Sequence, residues 1–308
     1  MPELPEVEYT ARQLRASVAG ATISDAQVFW ERTVSHPDVP DFLAEIAGRD
    51  ILNVRRRGKY LLIDLSGELF LSIHRRMTGN LLLLPPGWEV DMSRRESDPA
   101  MWKLKGPVFI SAEGVTNPET EYCRVCFNLG DGRRLLYTDP RKFGRIELWP
   151  RAREAEVFKM LGAEPLSEEF TIEQLEAALA GRKGIIKQVL LAQEVVAGLG
   201  NIYADEALYY AAIHPLRRTD SLTRDEIAQL HAGIVVVLAR GIEHGGTSFS
   251  GYRDLQGEAG NNYEHLHVYH KANTVRICER CGTPIERIII AQRTAHFCPK
   301  CQKLSIEV

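Results

Sequence analysis

Met1-Pro2-Glu3-Leu4-Pro5-Glu6-Val7-Glu8 opens the chain and is the stretch around which we expect the rest of it to be organised. Apolar residues recur at helical spacing beyond it, and they predict a helix from Pro5 to about Val18 with one buried face, formed by Val7, Ala11, Leu14 and Val18. Proline suits the first turn of a helix, and the acidic Glu6 and Glu8 suit its positive end. Gly20 predicts the end of the helix.

The same stretch also has a chemical interpretation. Removal of the initiator methionine ahead of a proline leaves Pro2 as a secondary amine beside the carboxylate of Glu3. An α-amino group has a pKa of roughly 8, so a useful fraction is neutral at pH 7. Such an amine can attack a carbonyl-like carbon and form a Schiff base, here a positively charged iminium, with Glu3 as the acid/base. The eight residues alone leave both readings open, a helix start or a nucleophile.

Composition places the chain among soluble globular proteins. Its 308 residues are enough for two domains, and 44% of them are hydrophobic and 26% charged. The N-terminus lacks the form of a signal peptide, and no apolar run approaches the ~18 residues of a membrane span. Without a secretory signal, the six cysteines indicate metal ligands or buried thiols in a reducing compartment.

Positive charge is concentrated in two segments although the net charge is -3. Residues 51–76 carry six basic and two acidic side chains, and residues 271–308 carry seven basic and three acidic ones. Two separate basic segments on an acidic chain predict a cleft or stripe that binds a polyanion. Solvated surface is the alternative, and charge alone does not exclude it.

The segment from Gly20 to about Pro150 reads mainly as strands. Short apolar or alternating runs lie between turn residues, as in Tyr60–Leu65, Leu69–Ile73, Leu81–Leu84, Arg124–Leu129 and Arg145–Leu148. They predict a β-sandwich or barrel with the first helix packed at one end. Residues 85–121, rich in proline, glycine and mixed charge, predict a long loop or decorated hairpin without an assigned role.

Beyond Pro150 the pattern becomes helical. The candidates are Ile172–Ala180, Ile185–Leu191, Ile202–Ala212 and Thr223–His244. The Gly-rich residues 245–261 then predict a mobile loop. We therefore expect an α+β multidomain chain: a β-sandwich domain with flanking helices over 1–150, a helical domain over 151–262 and a compact cysteine-bearing unit over 263–308.

Two Cys-x-x-Cys pairs predict the zinc site. Cys278, Cys281, Cys298 and Cys301, with sixteen residues between the pairs, provide four thiolates for one tetrahedral Zn²⁺. The segment is too small for a core of its own, so the metal supplies its folding energy. Gln292-Arg293-Thr294, between the pairs, predicts a basic tip for a phosphate.

Two other groups of metal-ligand residues favour a structural role. Cys123 and Cys126 lie in an apparent strand, where residues three apart face opposite sides. His265, His267 and His270 lack matching acids or a fourth ligand. The sequence therefore predicts no second metal site.

Six collinear motifs lie between residues 2 and 301. They are Pro2-Glu3-Leu4-Pro5-Glu6, Arg57-Gly58-Lys59-Tyr60-Leu61-Leu62, Thr138-Asp139-Pro140-Arg141-Lys142-Phe143-Gly144, Leu161-Gly162-Ala163-Glu164-Pro165-Leu166, Gly198-Leu199-Gly200-Asn201-Ile202-Tyr203-Ala204-Asp205-Glu206 and the four-cysteine finger with Gln292-Arg293. In these motifs the chain resembles the bacterial formamidopyrimidine-DNA glycosylases. The motif at Gly198 resembles the helix–two-turns–helix of that family.

This resemblance implies a bifunctional DNA glycosylase and AP lyase of base excision repair. Damaged double-stranded DNA is the expected partner, with an oxidised purine such as 8-oxoguanine or a formamidopyrimidine flipped out of the stack. The Schiff base on Pro2 then drives β- and δ-elimination. The resemblance also implies a monomer that holds one structural zinc, acts in the bacterial cytoplasm at the nucleoid and does not engage membranes.

Site residues follow from the same resemblance. Pro2 is the nucleophile, Glu3 the proton donor and shuttle, Lys59 the assistant in β-elimination at the sugar–phosphate, and Arg293 the clamp on the phosphate beside the flipped nucleoside. Met77, Arg141 and Phe143 are expected to fill the gap left by the base. Asn201 and the basic Lys183 are expected phosphate contacts, and Lys183 is favoured over Lys187.

The match is weaker at three places. Tyr122, which the resemblance places among the DNA-binding residues, occupies the position of a family histidine. The 245–267 loop diverges after Gly245-Gly246-Thr247, and the 85–121 segment looks longer than usual. These differences affect the choice of lesion more than the lyase chemistry. The alternatives kept open are an endonuclease VIII-like glycosylase for oxidised pyrimidines and a non-catalytic protein that binds lesions or abasic sites.

Overall fold

A computed structural model describes residues 2–91, 107–249, 251–270 and 274–304. The chain forms two compact units. The first contains Met1–Pro2, Glu6–Val157 and Ser250–Gly260, and the second contains Glu3–Pro5, Phe158–Phe249 and Asn261–Val308. The predicted domain boundaries after residues 150 and 262 remain a prediction.

The first helix forms where the helical spacing of apolar residues predicts it. α1 spans Leu4–Val18, one residue earlier than expected, and its stripe of Val7, Ala11, Leu14 and Val18 is buried. These side chains join the main apolar core of the first unit. The helical prediction is thus confirmed by the burial of the predicted face.

Strands fill most of the first unit, with α2 at Val39–Ile46 and the short α3 at Glu154–Val157. Nine strands of the described residues are β1 Thr22–Val28, β2 Val34–His36, β3 Arg49–Arg57, β4 Tyr60–Leu65, β5 Leu69–His74, β6 Asn80–Leu84, β9 Cys123–Leu129, β10 Arg134–Thr138 and β11 Arg145–Pro150. They are hydrogen-bonded in the order β2-β11-β5-β4-β3-β1-β9-β10-β6.

The nine strands form two halves that share one core. β1 joins the halves, and it pairs with β3 only at Thr22 and Ile23. Apolar side chains from both halves, among them Ile63 and Leu71 on one side and Phe127 and Leu135 on the other, lie in the same cluster as α1. This arrangement is the predicted sandwich with a helix packed against it.

A separate hairpin occupies the ends of the predicted 85–121 loop. β7 at Glu89–Asp91 pairs antiparallel with β8 at Val108–Ile110, so the prediction of a decorated hairpin is correct for these residues. Residues 92–106 lie outside the described part of the chain.

The expectation that Cys123 and Cys126 face opposite sides of their strand is wrong. The register of β9 against β10 shifts beside Cys123, because Thr138 pairs with Cys123 while Tyr137 pairs with Val125. Such a bulge adds one residue and breaks the alternation of faces. Both thiols consequently lie in one buried apolar cluster with Leu82, Leu84, Phe109 and Leu136.

In its described residues, the second unit is built from α-helices that were all predicted: α4 Ile172–Leu179, α5 Ile186–Leu191, α6 Asn201–Tyr210 and α7 Arg224–Glu243. Thr171 caps α4, and Thr223 with Glu226 forms a capping box at the start of α7. In the described part of the chain, no helix combines the length and apolarity needed to cross a membrane.

The finger is a hairpin of β12 at Glu286–Ile290 and β13 at Arg293–Phe297. Its two-residue turn, Ala291 and Gln292, has φ values of 45° and 63°. Positive φ at both positions matches the twist of a tight antiparallel hairpin. The turn therefore presents Arg293 at the tip, where its side chain is exposed.

Candidate active site and DNA-contact residues

Glu3 is held at the beginning of α6. Its carboxylate is 3% exposed and accepts hydrogen bonds from the backbone N–H of Ile202 at 3.1 Å and of Tyr203 at 3.4 Å. The first N–H groups of a helix have no partner within the helix, and the helix dipole stabilises negative charge there. α6 thus fixes the position of the Glu3 side chain, and the preceding residue, Pro2, is itself buried.

Two glycines make room for the N-terminal residues. A Cβ on Gly200 would lie 2.2 Å from Cδ of Glu3, and one on Gly198 would lie 2.7 Å from Cβ of Leu4. Gly198 also has a φ of 86° and accepts a hydrogen bond from the Leu4 N–H at 3.0 Å. The glycine turn before Asn201, interpreted from sequence as a phosphate contact, is therefore also the seat of Glu3 and Leu4.

Lys59 lies in the two-residue turn between β3 and β4 and is buried. Gly58 supplies the positive φ that the turn requires, 54°. Arg56 holds this turn, because its Nη1 donates to the Gly58 carbonyl at 3.0 Å while its Nε donates to Glu8 on α1 at 3.1 Å. Helix α1 thereby positions the turn of Lys59 through one ion pair.

The surroundings of Lys59 are electropositive. Burial first, and then the charges of Arg76 and Lys59, lower the pKa of His74 to about 3. His74 Nδ1 accepts a hydrogen bond from the Arg76 N–H at 3.1 Å, so this nitrogen carries no proton. A neutral His74 leaves Lys59 and Arg76 as the cations of this region, which suits a phosphate.

Asp139 joins the turns that carry the three predicted gap-filling residues. Its buried carboxylate accepts from Thr78 Oγ1 at 2.5 Å, from the Arg141 N–H at 3.1 Å and from the Gly144 N–H at 2.8 Å. Thr78 follows Met77, and Gly144 follows Phe143. Both turns are therefore hydrogen-bonded to one side chain, a role for Asp139 that sequence analysis missed.

The side chains on these turns are presented outward. Met77 is 43% and Phe143 49% exposed, although both are large and apolar. The Arg141 guanidinium lies 4.8 Å from the centre of the Phe143 ring. Exposed apolar groups held on rigid turns can insert between bases, whereas core residues would be buried.

Tyr122 belongs to the same region. It immediately precedes β9, and its carbonyl accepts from the Asp139 N–H at 2.9 Å. Arg124, which donates to the Asp139 carbonyl at 2.9 Å, lies 5.8 Å from the Tyr122 ring. Tyr122 therefore borders the turn of Arg141 and Phe143.

Arg293 borders a cleft of about 270 Å³ in the second unit, lined also by Lys187, Gln188, Leu191, Ala192, Ile290 and Ala291. The neighbouring Lys187 is fully buried, and its Nζ lies 2.6 Å from Asp205 Oδ1 and 2.6 Å from the Thr294 carbonyl. Asp205 also accepts from the His296 N–H at 2.9 Å.

This buried network is structural. Burial lowers the pKa of Lys187, and Asp205 opposes that shift. Removing one member of a buried ion pair costs about 3–5 kcal/mol, because the other charge is left without compensation. Lys187 therefore fastens α5 to α6 and to the strand that begins at Arg293.

Asn201 and Lys183 differ in their surroundings. Asn201 Nδ2 donates to the Thr294 carbonyl at 3.0 Å and to the Tyr269 hydroxyl at 3.3 Å, so the amide already contacts the finger. Its Oδ1 is buried and has no hydrogen-bond partner among the described residues. Lys183 is exposed just ahead of α5. Both phosphate assignments remain predictions.

The four finger cysteines fit one structural Zn²⁺. Their sulfur atoms lie within 4.8 Å of one another, with 3.8 Å between Cys278 and Cys301 and 3.5 Å between Cys281 and Cys298. Tetrahedral Zn–S bonds of about 2.3 Å place sulfurs about 3.8 Å apart. The Cys301 N–H points to Cys298 Sγ at 3.4 Å, and the Tyr209 hydroxyl lies 3.3 Å from Cys278 Sγ. The donor set thus matches the predicted metal.

Replacing Cys298 with serine is expected to remove the metal and unfold the finger. Cys298 is fully buried in the small cluster of the finger, which offers few apolar contacts to replace zinc. We expect most of the zinc to be lost by elemental analysis and DNA affinity to fall at least about tenfold. Cys126→Ser is the matched control, and that variant should retain the zinc of the finger. Full zinc content and unchanged binding in Cys298→Ser would contradict the metal assignment.

Three family models match the chain in order. They describe a formamidopyrimidine-DNA glycosylase N-terminal domain over residues 1–146, a formamidopyrimidine-DNA glycosylase H2TH domain over residues 161–252 and a zinc finger found in FPG and IleRS over residues 278–304. Together they cover most of the chain.

Full-length relatives agree with the models. The formamidopyrimidine-DNA glycosylase of Herpetosiphon aurantiacus is 41% identical, and the match covers 98% of this chain and 100% of the relative. That of Pediococcus pentosaceus is 42% identical over 99% of this chain and 100% of the relative.

Solved structures give the same result. The Lactococcus lactis enzyme in complex with abasic-site DNA is 32% identical and superposes with a TM-score of 0.81, covering 98% of this chain and 100% of that chain. Its complex with DNA containing Fapy-dG gives 0.80 at 31% identity and the same coverage, and the wild-type enzyme is also known with an oxidised pyrimidine in DNA.

Proposed function

The chain belongs to the formamidopyrimidine-DNA glycosylase family, and on that premise we propose that its Pro2 nitrogen attacks C1′ of a flipped, damaged nucleotide. It is a DNA glycosylase of base excision repair with AP lyase activity. The observation that carries the assignment of the nucleophile is the seat of Glu3 at the beginning of α6, with Gly198 and Gly200 leaving space for it. The seat holds a carboxylate in the residue next to the Pro2 nitrogen, where it can serve as the acid/base.

Among the side chains and termini of the protein, the first steps use Pro2 and Glu3. The Pro2 nitrogen forms a bond to C1′ as the glycosidic bond breaks, and the departing base takes the electron pair and a proton from solvent. Glu3 accepts the proton that Pro2 loses and passes it to the ring oxygen of the sugar. The C1′–O bond then opens, and the nitrogen lone pair forms the iminium.

The iminium drives strand cleavage. Its positive charge acidifies the C2′ proton, so removal of that proton expels the 3′ phosphate, and loss of the C4′ proton then expels the 5′ phosphate. Lys59, next to Arg76 and a neutral His74, is proposed to act at the sugar–phosphate. Arg293, exposed at the tip of the finger, is proposed to clamp the leaving phosphate.

Extrusion of the base leaves a gap that Met77, Arg141 and Phe143 are proposed to fill. Their exposure on turns held by Asp139 supports this role, and Tyr122 borders the same turns.

Lys183 and Asn201 are proposed phosphate contacts. We further propose that the enzyme acts as a monomer in the cytoplasm.

We propose oxidised purines as the preferred lesions. Relatives bind Fapy-dG in DNA, and the three gap-filling residues are present and exposed. In duplexes with one defined lesion each, we expect 8-oxoguanine and formamidopyrimidine opposite cytosine to be excised at least about tenfold faster than thymine glycol or dihydrouracil. Faster removal of the pyrimidines would contradict this lesion class. Binding without any product would instead support the non-catalytic alternative.

A further inference from the structure

Arg75 is buried although it lies two residues before the exposed Met77. Its side chain is 1% exposed, and its Nε donates to the Gly79 carbonyl at 2.8 Å. In return, the Gly79 N–H donates to the Arg75 carbonyl at 3.0 Å. These two bonds close the turn of residues 75–79, which we call the Met77 turn. Arg75 therefore fixes the base of the turn that presents Met77.

The other side of the guanidinium binds residues of the Gly-rich region. Arg75 Nη2 donates to Asn80 Oδ1 at 2.6 Å and to the Arg253 carbonyl at 3.2 Å, and its Cζ lies 5.1 Å from the Tyr252 ring. Asn80 also accepts from the Arg253 N–H at 3.1 Å and donates to the Gly251 carbonyl at 2.7 Å. Residues 251–253, which we call the 251–253 segment, are thus hydrogen-bonded to the side chains of both Arg75 and Asn80.

Helix α1 completes the set, because Arg75 Nη1 donates to Thr10 Oγ1 at 2.9 Å. Within the described part of the chain, the hydrogen-bond acceptors of Arg75 are three neutral oxygens besides the Gly79 carbonyl, and none of them belongs to a carboxylate. A buried guanidinium without a hydrogen-bonded carboxylate is expensive, and an apolar side chain at such a site is often at least as stabilising. Stability alone is therefore a poor reason for arginine here.

Geometry offers a better reason. The guanidinium is planar and presents its donors in a fixed fork, so its acceptors are satisfied together only when they hold one relative arrangement. The Gly79 carbonyl belongs to the Met77 turn, and the Arg253 carbonyl belongs to the 251–253 segment. If either the Met77 turn or the 251–253 segment moves alone, the Arg75 guanidinium can no longer donate to both carbonyls at once.

We propose that Arg75 is a positioning residue that couples the Met77 turn to the 251–253 segment, so that the two adopt their base-extruding arrangement together. This inference rests on the proposed function, because it assigns to Met77 the filling of the gap in the duplex. It adds a residue whose side chain touches no DNA in this role and acts through the turn alone.

The coupling has a consequence that depends on the substrate. Extruding a stacked, paired base requires the Met77 turn to hold against the duplex, whereas an abasic site has no base to extrude. Loss of Arg75 should therefore slow base excision while leaving the lyase reaction on preformed abasic DNA nearly intact. A residue needed only for folding would affect both reactions equally.

The test compares Arg75→Met and Arg75→Lys with the wild type on 8-oxoguanine DNA and on abasic DNA, under single-turnover conditions. Rates are normalised to the active fraction from borohydride trapping. We expect both variants to excise 8-oxoguanine about tenfold more slowly and to cleave abasic DNA within about threefold of the wild type. Lysine should not rescue, because one ammonium cannot reach all the acceptors.

Tyr252→Leu tests the same coupling from the segment, with Arg75 intact, and guards against poor folding of the Arg75 variants. It should show the same selective defect, and combining it with Arg75→Met should add little to either single variant. Arg134→Gln is the matched control. Arg134 also binds a backbone carbonyl and an asparagine oxygen, at the opposite end of β10 from Asp139. It should lower both activities equally or neither.

Equal losses on both substrates in the Arg75 and Tyr252 variants, full rescue by lysine, or additive effects in the double variant would overturn the coupling. Failure of the proposed function has a different signature. In that case, the wild type itself yields neither product nor a trapped adduct.

Discussion

Replacing Gly200 with alanine is expected to lower both base excision and AP lyase activity by about 100-fold, as much as removing a general acid–base group. The added Cβ would lie 2.2 Å from Cδ and 2.5 Å from Oε1 of Glu3, so the carboxylate must leave its site at α6. The φ of Gly200 is -131°, which any residue can adopt. The steric contact with Glu3 is thus the reason for the loss.

Single-turnover rates and thermal unfolding of Gly200→Ala, Glu3→Gln and Gly130→Ala check this expectation. Glu3→Gln should match Gly200→Ala in activity, because it keeps the size of the side chain and removes its acid–base function. Gly130 is the matched control, since a Cβ there meets its nearest atom at 3.7 Å. Near-normal activity in a folded Gly200→Ala protein would show that the position of Glu3 is not needed.

Replacing Pro2 with glycine is expected to slow both reactions by on the order of 100-fold, the cost of a misplaced reacting group. Glycine leaves a primary amine, whose Schiff base can lose a proton and with it the positive charge that drives elimination. Its backbone is also free where proline is fixed at φ near -65°. The measurement is the rate of strand cleavage on abasic DNA, with the mass of the purified protein confirming removal of Met1. Unchanged cleavage in Pro2→Gly would contradict the proposed nucleophile.

The sequence predicted α1 and the helices of the second unit because their signals are local, but it did not predict the helix at Val39–Ile46. The stripe from Val7 to Val18 and the helices after Pro150 depend on periodicity within one segment, and all are present. The zinc ligands were equally predictable, since two Cys-x-x-Cys pairs specify the chemistry of the site by themselves.

The parts that sequence reasoning missed depend on pairing over long distances along the chain. Asp139 lies within one of the sequence motifs, but its hydrogen bond with Thr78 joins residues that are 61 positions apart. Likewise Asp205 binds Lys187 and His296, which no spacing rule relates. The bulge that brings Cys123 and Cys126 to one face arises from the partner strand, so alternation within β9 could not reveal it.

Arg75 illustrates the same limit. In the sequence it reads as one of the basic residues of the 51–76 segment, consistent with a polyanion-binding surface. In the structure it is buried, and it donates hydrogen bonds to Thr10 Oγ1 and to the Arg253 carbonyl of the 251–253 segment. The charge of a segment therefore does not tell which of its cations face solvent.

The most direct test of the account is to map the covalent intermediate. Wild-type protein is incubated with abasic-site DNA and sodium borohydride, digested, and sequenced by mass spectrometry. We predict one reduced adduct on the nitrogen of Pro2 at a processed N-terminus. An adduct located on Lys59, or no adduct from protein whose N-terminus is fully processed, would contradict the central claim that Pro2 is the nucleophile.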